Sequence, residues 1–183
     1  MSRRLTLVLG GVRAGKSRYA QDLAGDSDRV LFVATAEAGD SEMAARIEAH
    51  RAERPRGWAT LEEPVDLVTA LAPRLPDFDI VLIDCLTLWV SNLLLQDPDH
   101  GATPAHIQTQ ARRLIDLYER GDASWIVVSN EVGLGVIPAT RLGRDFADAL
   151  GRVNQQFAAA ADDVFVVFAG LPVNLKARGL KNR

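Results

Sequence analysis

Apolar runs of strand length alternate along this chain with segments of helical period. Residues 5–9, 30–34, 80–83, 125–129 and 164–168 are apolar almost throughout, which predicts buried strands, and 58–62 reads as a shorter one. Between them, helical spacing predicts helices over 16–23, 42–54 and 65–71, and another following the 80–83 strand through Leu95. Thr103-Pro104 opens a helix to about Arg120, with Thr103 as N-cap and proline at the first helical position. Leu142, Phe146, Leu150, Val153 and Phe157 fall on one face of a helix over 140–161. Strands apolar on both faces, each followed by a helix, predict an α/β fold with a mainly parallel sheet covered on both sides. Ligands in such sheets sit at the carboxyl ends of the strands. The polar, turn-forming stretch 96–101 reads as an exposed loop.

One segment changes this picture from a fold to a chemistry. Gly10-Gly11-Val12-Arg13-Ala14-Gly15-Lys16-Ser17 follows a strand and opens a helix, matching the phosphate-binding pattern G-x-x-x-x-G-K-[ST]. Glycines let the backbone wrap phosphate oxygens, and the helix N-terminus adds partial positive charge. Lys16 would bridge the β- and γ-phosphates of ATP or GTP, and Ser17 would ligate Mg²⁺. Asp84 closes the apolar strand 80–83. A carboxylate there, on a strand next to the P-loop strand, is placed to hold Mg²⁺; the alternative is a helix N-cap.

On the predicted helix 42–54, Arg46, His50 and Arg54 recur every four residues, with Arg51 beside them. Neighbouring cations favour a neutral, nucleophilic imidazole and attract phosphate. The same lane is equally a solvated basic face balanced by Glu48 and Glu53, and spacing does not decide between the two. His100 and His106 lack metal-ligand spacing. Trp58 and Trp89 fit either a large flat ligand or the core.

Bulk properties narrow the function classes. The chain has 183 residues, enough for one domain over 1–183. A formal net charge of −3 offers no basic field for nucleic acid. The one cysteine, Cys85, can form neither an internal disulfide nor a thiolate-rich zinc site. No segment is long enough to span a bilayer, and a cytoplasmic protein is expected.

Taken together these residues resemble the bifunctional adenosylcobinamide kinase / adenosylcobinamide-phosphate guanylyltransferase family of cobalamin biosynthesis. The resemblance runs nearly end to end. It is carried by the P-loop, Ala34-Thr35-Ala36, Ala45-Arg46-Ile47, His50-Arg51, Arg54-Pro55, Trp58, Thr60 and Glu62-Glu63-Pro64. It continues in Asp84-Cys85-Leu86-Thr87, Trp89, Asn92, Ser129-Asn130-Glu131-Val132-Gly133-Leu134-Gly135, Pro138, Gly151-Arg152-Val153-Asn154-Gln155, Gly170-Leu171-Pro172 and Leu175-Lys176. Ala14 stands where the family usually has serine; backbone donors do the cradling, so the lost hydroxyl should matter little.

The resemblance implies a RecA-like P-loop sheet and a homotrimer. It implies phosphorylation of adenosylcobinamide from ATP or GTP, then transfer of GMP from GTP through a guanylylated histidine, here His50. It further implies nucleotide contacts from Ala34, Thr35, Ala36, Arg51, Ala52, Glu53, Arg54 and Glu62, with Asp84 as the Mg²⁺-side acid. Asn130 or Glu131 is expected to position nucleotide or cobinamide, or else to form a structural turn. Two rivals remain: a small-molecule P-loop kinase without nucleotidyl transfer, in which His50 has no use, and a P-loop switch or assembly ATPase.

Overall fold

The computed structural model describes residues 3–37, 48, 51, 54, 55, 57–96 and 103–178. Its frame is a seven-stranded sheet ordered β3-β2-β4-β5-β1-β6-β7. The strands are β1 (Leu5–Gly10), β2 (Val30–Ala34), β3 (Ala59–Glu62), β4 (Ile80–Asp84), β5 (Ser124–Val128), β6 (Asp163–Phe168) and β7 (Leu171–Asn174). All neighbouring pairs are parallel except β6 and β7. The helices are α1 (Lys16–Ala24), α2 (Leu67–Leu71), α3 (Leu86–Leu95), α4 (Pro104–Arg120) and α5 (Arg141–Ala160).

Alternation along the strands builds two cores. Leu5, Leu7, Leu31, Val33, Val81, Ile83, Trp125 and Val127 face the side covered by α2, α3, α4 and α5. Val8, Val30, Phe32, Ala34, Leu82, Ile126 and Val128 face α1, whose Ala20 and Ala24 pack beneath them. Small side chains on α1 let it lie close to the sheet. The expected doubly covered parallel sheet is therefore present; among the described residues the α2–α5 side carries the larger cluster.

Local chemistry sets the ends of the elements. The Thr103 hydroxyl accepts the His106 N–H at 3.2 Å with Pro104 at the first turn of α4, as its sequence predicts. α2 starts at Leu67, two residues later than expected, because Asp66 caps it through the Thr69 N–H. The N–H groups of Val65 and Asp66 are taken instead by Glu63 Oε1. On α5, Leu150, Val153 and Phe157 are buried as predicted, but Leu142 lies exposed in the first turn, beyond the sheet.

Two differences from the sequence reading matter. β5 lies between β1 and β4, so the Asp84 strand is not next to the P-loop strand. β7 adds to the strands read from the sequence: it is a four-residue edge strand antiparallel to β6, a position where Pro172 is tolerated. Of the predicted 42–54 helix, Glu48 and Arg51 are helical, and the rest lies largely outside the described residues. Residues 97–102 of the expected loop lie outside them too.

The rim opposite the P-loop carries a pH-dependent tie. Burial works against the Asp163 charge, but hydrogen bonds from Arg4 and Asn174 outweigh it and hold this carboxyl below its ordinary range. A group depressed in the folded state contributes stability that is present above its unfolded pKa and lost as pH falls through its folded one. Asp163→Asn should therefore lower the urea midpoint at pH 7. The gap to wild type should close as pH falls below the usual carboxylate range; a constant gap would assign the effect to something other than this charge.

Candidate active site

β1 ends in the loop that bears the phosphate-binding pattern. Gly10 adopts φ +154°, and a Cβ placed there would stand 2.5 Å from the Val167 carbonyl oxygen of β6. Arg13 (φ 57°) and Gly15 (φ 97°) are left-handed, which turns the loop around a central hollow. The Ala14 carbonyl accepts the Gly170 N–H at 2.9 Å, so the β6–β7 turn braces the loop from outside. Because the obstacle at Gly10 is backbone, it cannot step aside. Gly10→Ala should destabilise the fold by about 1–3 kcal/mol, read as a lowered midpoint in urea unfolding; an unchanged midpoint would mean that β1 and β6 are not held at this spacing.

Helix α1 begins at Gly15 without a side-chain cap and with no acidic residue in its first turn. Its first N–H groups and its positive dipole end are thus directed at the loop rather than neutralised by the protein. Lys16 is buried, and its ammonium donates to the Gly11 carbonyl at 2.7 Å. Burial pushes the Lys16 ammonium below its usual range, while Cys85 and Asp84 pull in the opposite direction. Ser17 is half-buried one position further along α1.

Asp84 ends β4 and is half-buried. The N-cap position of α3 is Cys85, which makes no side-chain cap hydrogen bond. Although β5 separates β4 from β1, Asp84 still acts electrostatically on Lys16. Thr35, buried at the end of β2, locks the following turn: its hydroxyl donates to the Cys85 carbonyl at 2.7 Å and accepts the Cys85 N–H at 2.9 Å. Asn92 of α3 donates to the carbonyls of Thr35 and Pro64, tying the ends of β2 and β3 together. Neither tie is visible in the sequence, since the partners are 28 to 57 residues apart.

The β2–β3 end of the same edge is charged. Arg51 Nε donates to Glu62 Oε1 at 3.0 Å, and the guanidinium also pairs with Glu48. This is the balanced charge that a solvated basic face would show. Arg54 differs: its guanidinium stacks on Phe32 at 4.0 Å, and its buried Nε has no hydrogen-bond partner among the described residues. Burial, then the Arg51 charge, push Arg54 below its usual range. A half-buried guanidinium whose buried Nε lacks a partner among the described residues is a site that an anion would stabilise. His50, Ala52, Glu53 and Arg46 lie outside the described residues. Trp89 is core, its indole N–H donating to the Val65 carbonyl at 2.8 Å, and Trp58 packs partly buried against the α1-side core.

After β5, Asn130 and Glu131 are held in place by backbone. The Asn130 N–H donates to Thr87 Oγ1 at 2.8 Å, Asn154 Nδ2 donates to the Asn130 carbonyl at 3.0 Å, and the Glu131 N–H donates to the Gly10 carbonyl at 3.2 Å. Sequence reasoning had not singled out Thr87 or Asn154 for this; only their place in the shared motifs hinted at it. Glu131 Oε1 accepts the Gly133 N–H at 2.8 Å.

Ser17 and Asp84 carry side-chain oxygens at this end of the sheet that could hold a divalent cation. Among the described residues no cluster of three or more His, Cys, Asp or Glu could hold a metal by itself. Mg²⁺ beside a P-loop needs only one or two protein oxygens, since phosphates and water complete its shell. No helix among the described residues is long and apolar enough to cross a membrane.

Comparison with known proteins identifies relatives of this chain. The solved structure of the RadB recombinase shares 18% identity and a TM-score of 0.49, over 89% of this chain and 73% of that one. The bifunctional adenosylcobalamin biosynthesis protein CobU of Escherichia coli is 43% identical over 180 residues, covering 94% of this chain and 99% of the relative. CobP of Pseudomonas aeruginosa, described in the same words, is 43% identical over 175 residues, covering 95% and 98%. Residues 6–175 match the family model for cobinamide kinase / cobinamide phosphate guanyltransferase. With the P-loop, the Asp84 turn and near-complete coverage in hand, the chain belongs to the cobinamide kinase / cobinamide phosphate guanyltransferase family.

Proposed function

We propose that this chain performs both reactions of its family in cobalamin biosynthesis. In the first, the free hydroxyl of adenosylcobinamide attacks the γ-phosphorus of ATP or GTP, giving adenosylcobinamide phosphate and the nucleoside diphosphate. In the second, the His50 imidazole attacks the α-phosphorus of GTP and displaces pyrophosphate. The acceptor phosphate then attacks the guanylylated histidine, freeing His50 and giving adenosylcobinamide-GDP. The observation that carries the reading is the loop from Gly10 to Ser17, with its uncapped helix start and buried Lys16 within the field of Asp84.

Each residue has a task that follows from its surroundings. The loop N–H groups and the start of α1 bind the phosphates. Lys16, short of solvent, places an unscreened cation where charge shifts to the leaving oxygens. Ser17 and Asp84 would hold Mg²⁺, which supplies charge neutralisation on the phosphates when bound. Arg54, with its spare buried donor, suits a nucleotide phosphate. Arg51, Ala52, Glu53, Glu62 and the 34–36 turn complete the nucleotide side by family likeness. Thr35 serves it through the Cys85 turn, since its own hydroxyl is spent there.

The same reading takes the 183 residues as one P-loop domain, working as a homotrimer in the cytoplasm. One sheet with a core on each face supports the first, family likeness the second, and the single cysteine the third. The test is to supply adenosylcobinamide with ATP, with GTP, and with both, and to separate the corrin products. Phosphate appearing with either nucleotide and the GDP derivative appearing only with GTP is the expected outcome. Phosphate alone under all conditions would leave a kinase without nucleotidyl transfer.

A further inference from the structure

We propose that the loops following β5, β1 and β6 form an apolar rim that seats the corrin ring of the acceptor, beside the charged nucleotide contacts at the ends of β4, β2 and β3. This rests on the reading above, in which the acceptor is a cobinamide. β5, β1 and β6 are adjacent and parallel, so the loops at their carboxyl ends emerge side by side. Among the described residues, most of the exposed large apolar side chains lie on these three loops. Val12 projects from the P-loop; Leu134, Val136 and Ile137 from the β5–α5 loop; Phe168 and Leu171 from the β6–β7 turn. Val136 is 96% exposed, and Leu134 and Ile137 are each 79% exposed. Apolar exposure concentrated in this way marks a binding surface.

The rim is built onto the phosphate site. The Glu131 N–H on Gly10 and the Gly170 N–H on Ala14 fasten its two flanking loops to the P-loop itself. At its far end the β5–α5 loop is pinned by Arg144, which donates to the carbonyls of Pro138 and Ala139 at 3.0 and 2.9 Å. Thr87 and Asn154 hold its near end. Both ends of the loop that carries Leu134, Val136 and Ile137 are therefore anchored. The rest of the edge, from β4 outward, carries Asp84, Arg51, Arg54 and Glu62.

Chemistry selects the occupant. The acceptor hydroxyl must meet the γ-phosphorus at the P-loop, so the macrocycle attached to it has to rest against the neighbouring surface. A corrin is bulky, mostly uncharged and studded with methyl groups, with amide arms at its edge. A rim whose exposed large apolar side chains are Leu, Val, Ile and Phe fits it better than the edge lined by Arg51, Arg54 and Glu62.

The test uses Leu134→Ser combined with Ile137→Ser, and separately Phe168→Ser, in the full chain. All three sites are exposed, so folding should survive, and the thermal midpoint checks it. The KM for adenosylcobinamide should rise about tenfold in each. The KM for nucleotide, the labelling of the chain by GTP alone, and the native mass should stay as in wild type. An unchanged acceptor KM in both variants would overturn the proposal. So would a fall in native mass, which would make the rim a contact between copies of the chain. If wild type neither phosphorylates adenosylcobinamide nor takes label from GTP, the underlying functional reading fails, and that shows before any variant is made.

Discussion

Lys16→Met should lose on the order of 10²–10³ in kcat/KM for phosphorylation of adenosylcobinamide, the usual consequence of deleting one preorganised donor at a developing charge. The methionine keeps the buried stem, so the change isolates the ammonium. Burial disfavours that ammonium in the folded protein, as its lowered pKa records. Removing it should therefore leave the thermal midpoint unchanged or raise it. Lost activity with retained or increased stability is the combination that separates a functional lysine from a structural one. A lower midpoint accompanying the lost activity would instead make the Gly11 hydrogen bond a structural prop.

His50→Ala should have the larger effect, confined to one reaction. Deleting the nucleophile of a covalent pathway costs at least on the order of 10³ in rate. GMP transfer to adenosylcobinamide phosphate should therefore fall below detection, while phosphorylation of adenosylcobinamide stays within a few-fold of wild type. The asymmetry follows because γ-phosphoryl transfer needs positioning and charge from the P-loop but no nucleophile from the protein. Equal loss of both reactions would place His50 in nucleotide binding. Equal retention would restore the solvated basic face that the Arg46, His50 and Arg54 spacing also allows.

The P-loop was legible in the sequence because its whole mechanism is local: eight consecutive residues carry the glycines, the lysine and the helix start. The sheet was legible because 30–34, 80–83 and 125–129 are apolar on both faces, which only a doubly covered strand tolerates. Strand order was not legible. Val127 pairs with both Leu7 and Ile83, placing β5 between the P-loop strand and the Asp84 strand, and no local pattern encodes such a tertiary choice. β7 is only four residues long and pairs only with β6 among the described strands, and that edge position is likewise a tertiary fact. The stacking of Arg54 on Phe32 and the lock of Thr35 on Cys85 join residues distant in sequence, so the chain showed the residue types without their partnership. The functional meaning of the His50 helix came from resemblance to a family, and its position lies outside the described residues.

Two activities on one phosphate cradle make a consistent division of the sheet edge. In the proposed scheme the P-loop holds the nucleotide phosphates in both reactions, and both use the same corrin, first with a hydroxyl and then with a phosphate. A charged side built from Arg51, Arg54 and Glu62 and an apolar side built from the 132–137 and 168–171 loops would serve both without rearranging the strands between them.

The most direct measurement is a chase. The protein is incubated with Mg²⁺ and GTP labelled at the α-phosphate, freed of nucleotide, and then given adenosylcobinamide phosphate. Label should remain on the denatured chain before the chase, labile to acid and stable to base as a phosphoramidate is, and should be absent from His50→Ala. On the chase it should leave the protein and appear in adenosylcobinamide-GDP. Label that never enters the chain, while adenosylcobinamide-GDP still forms, would contradict the covalent pathway and require direct attack of the acceptor on GTP.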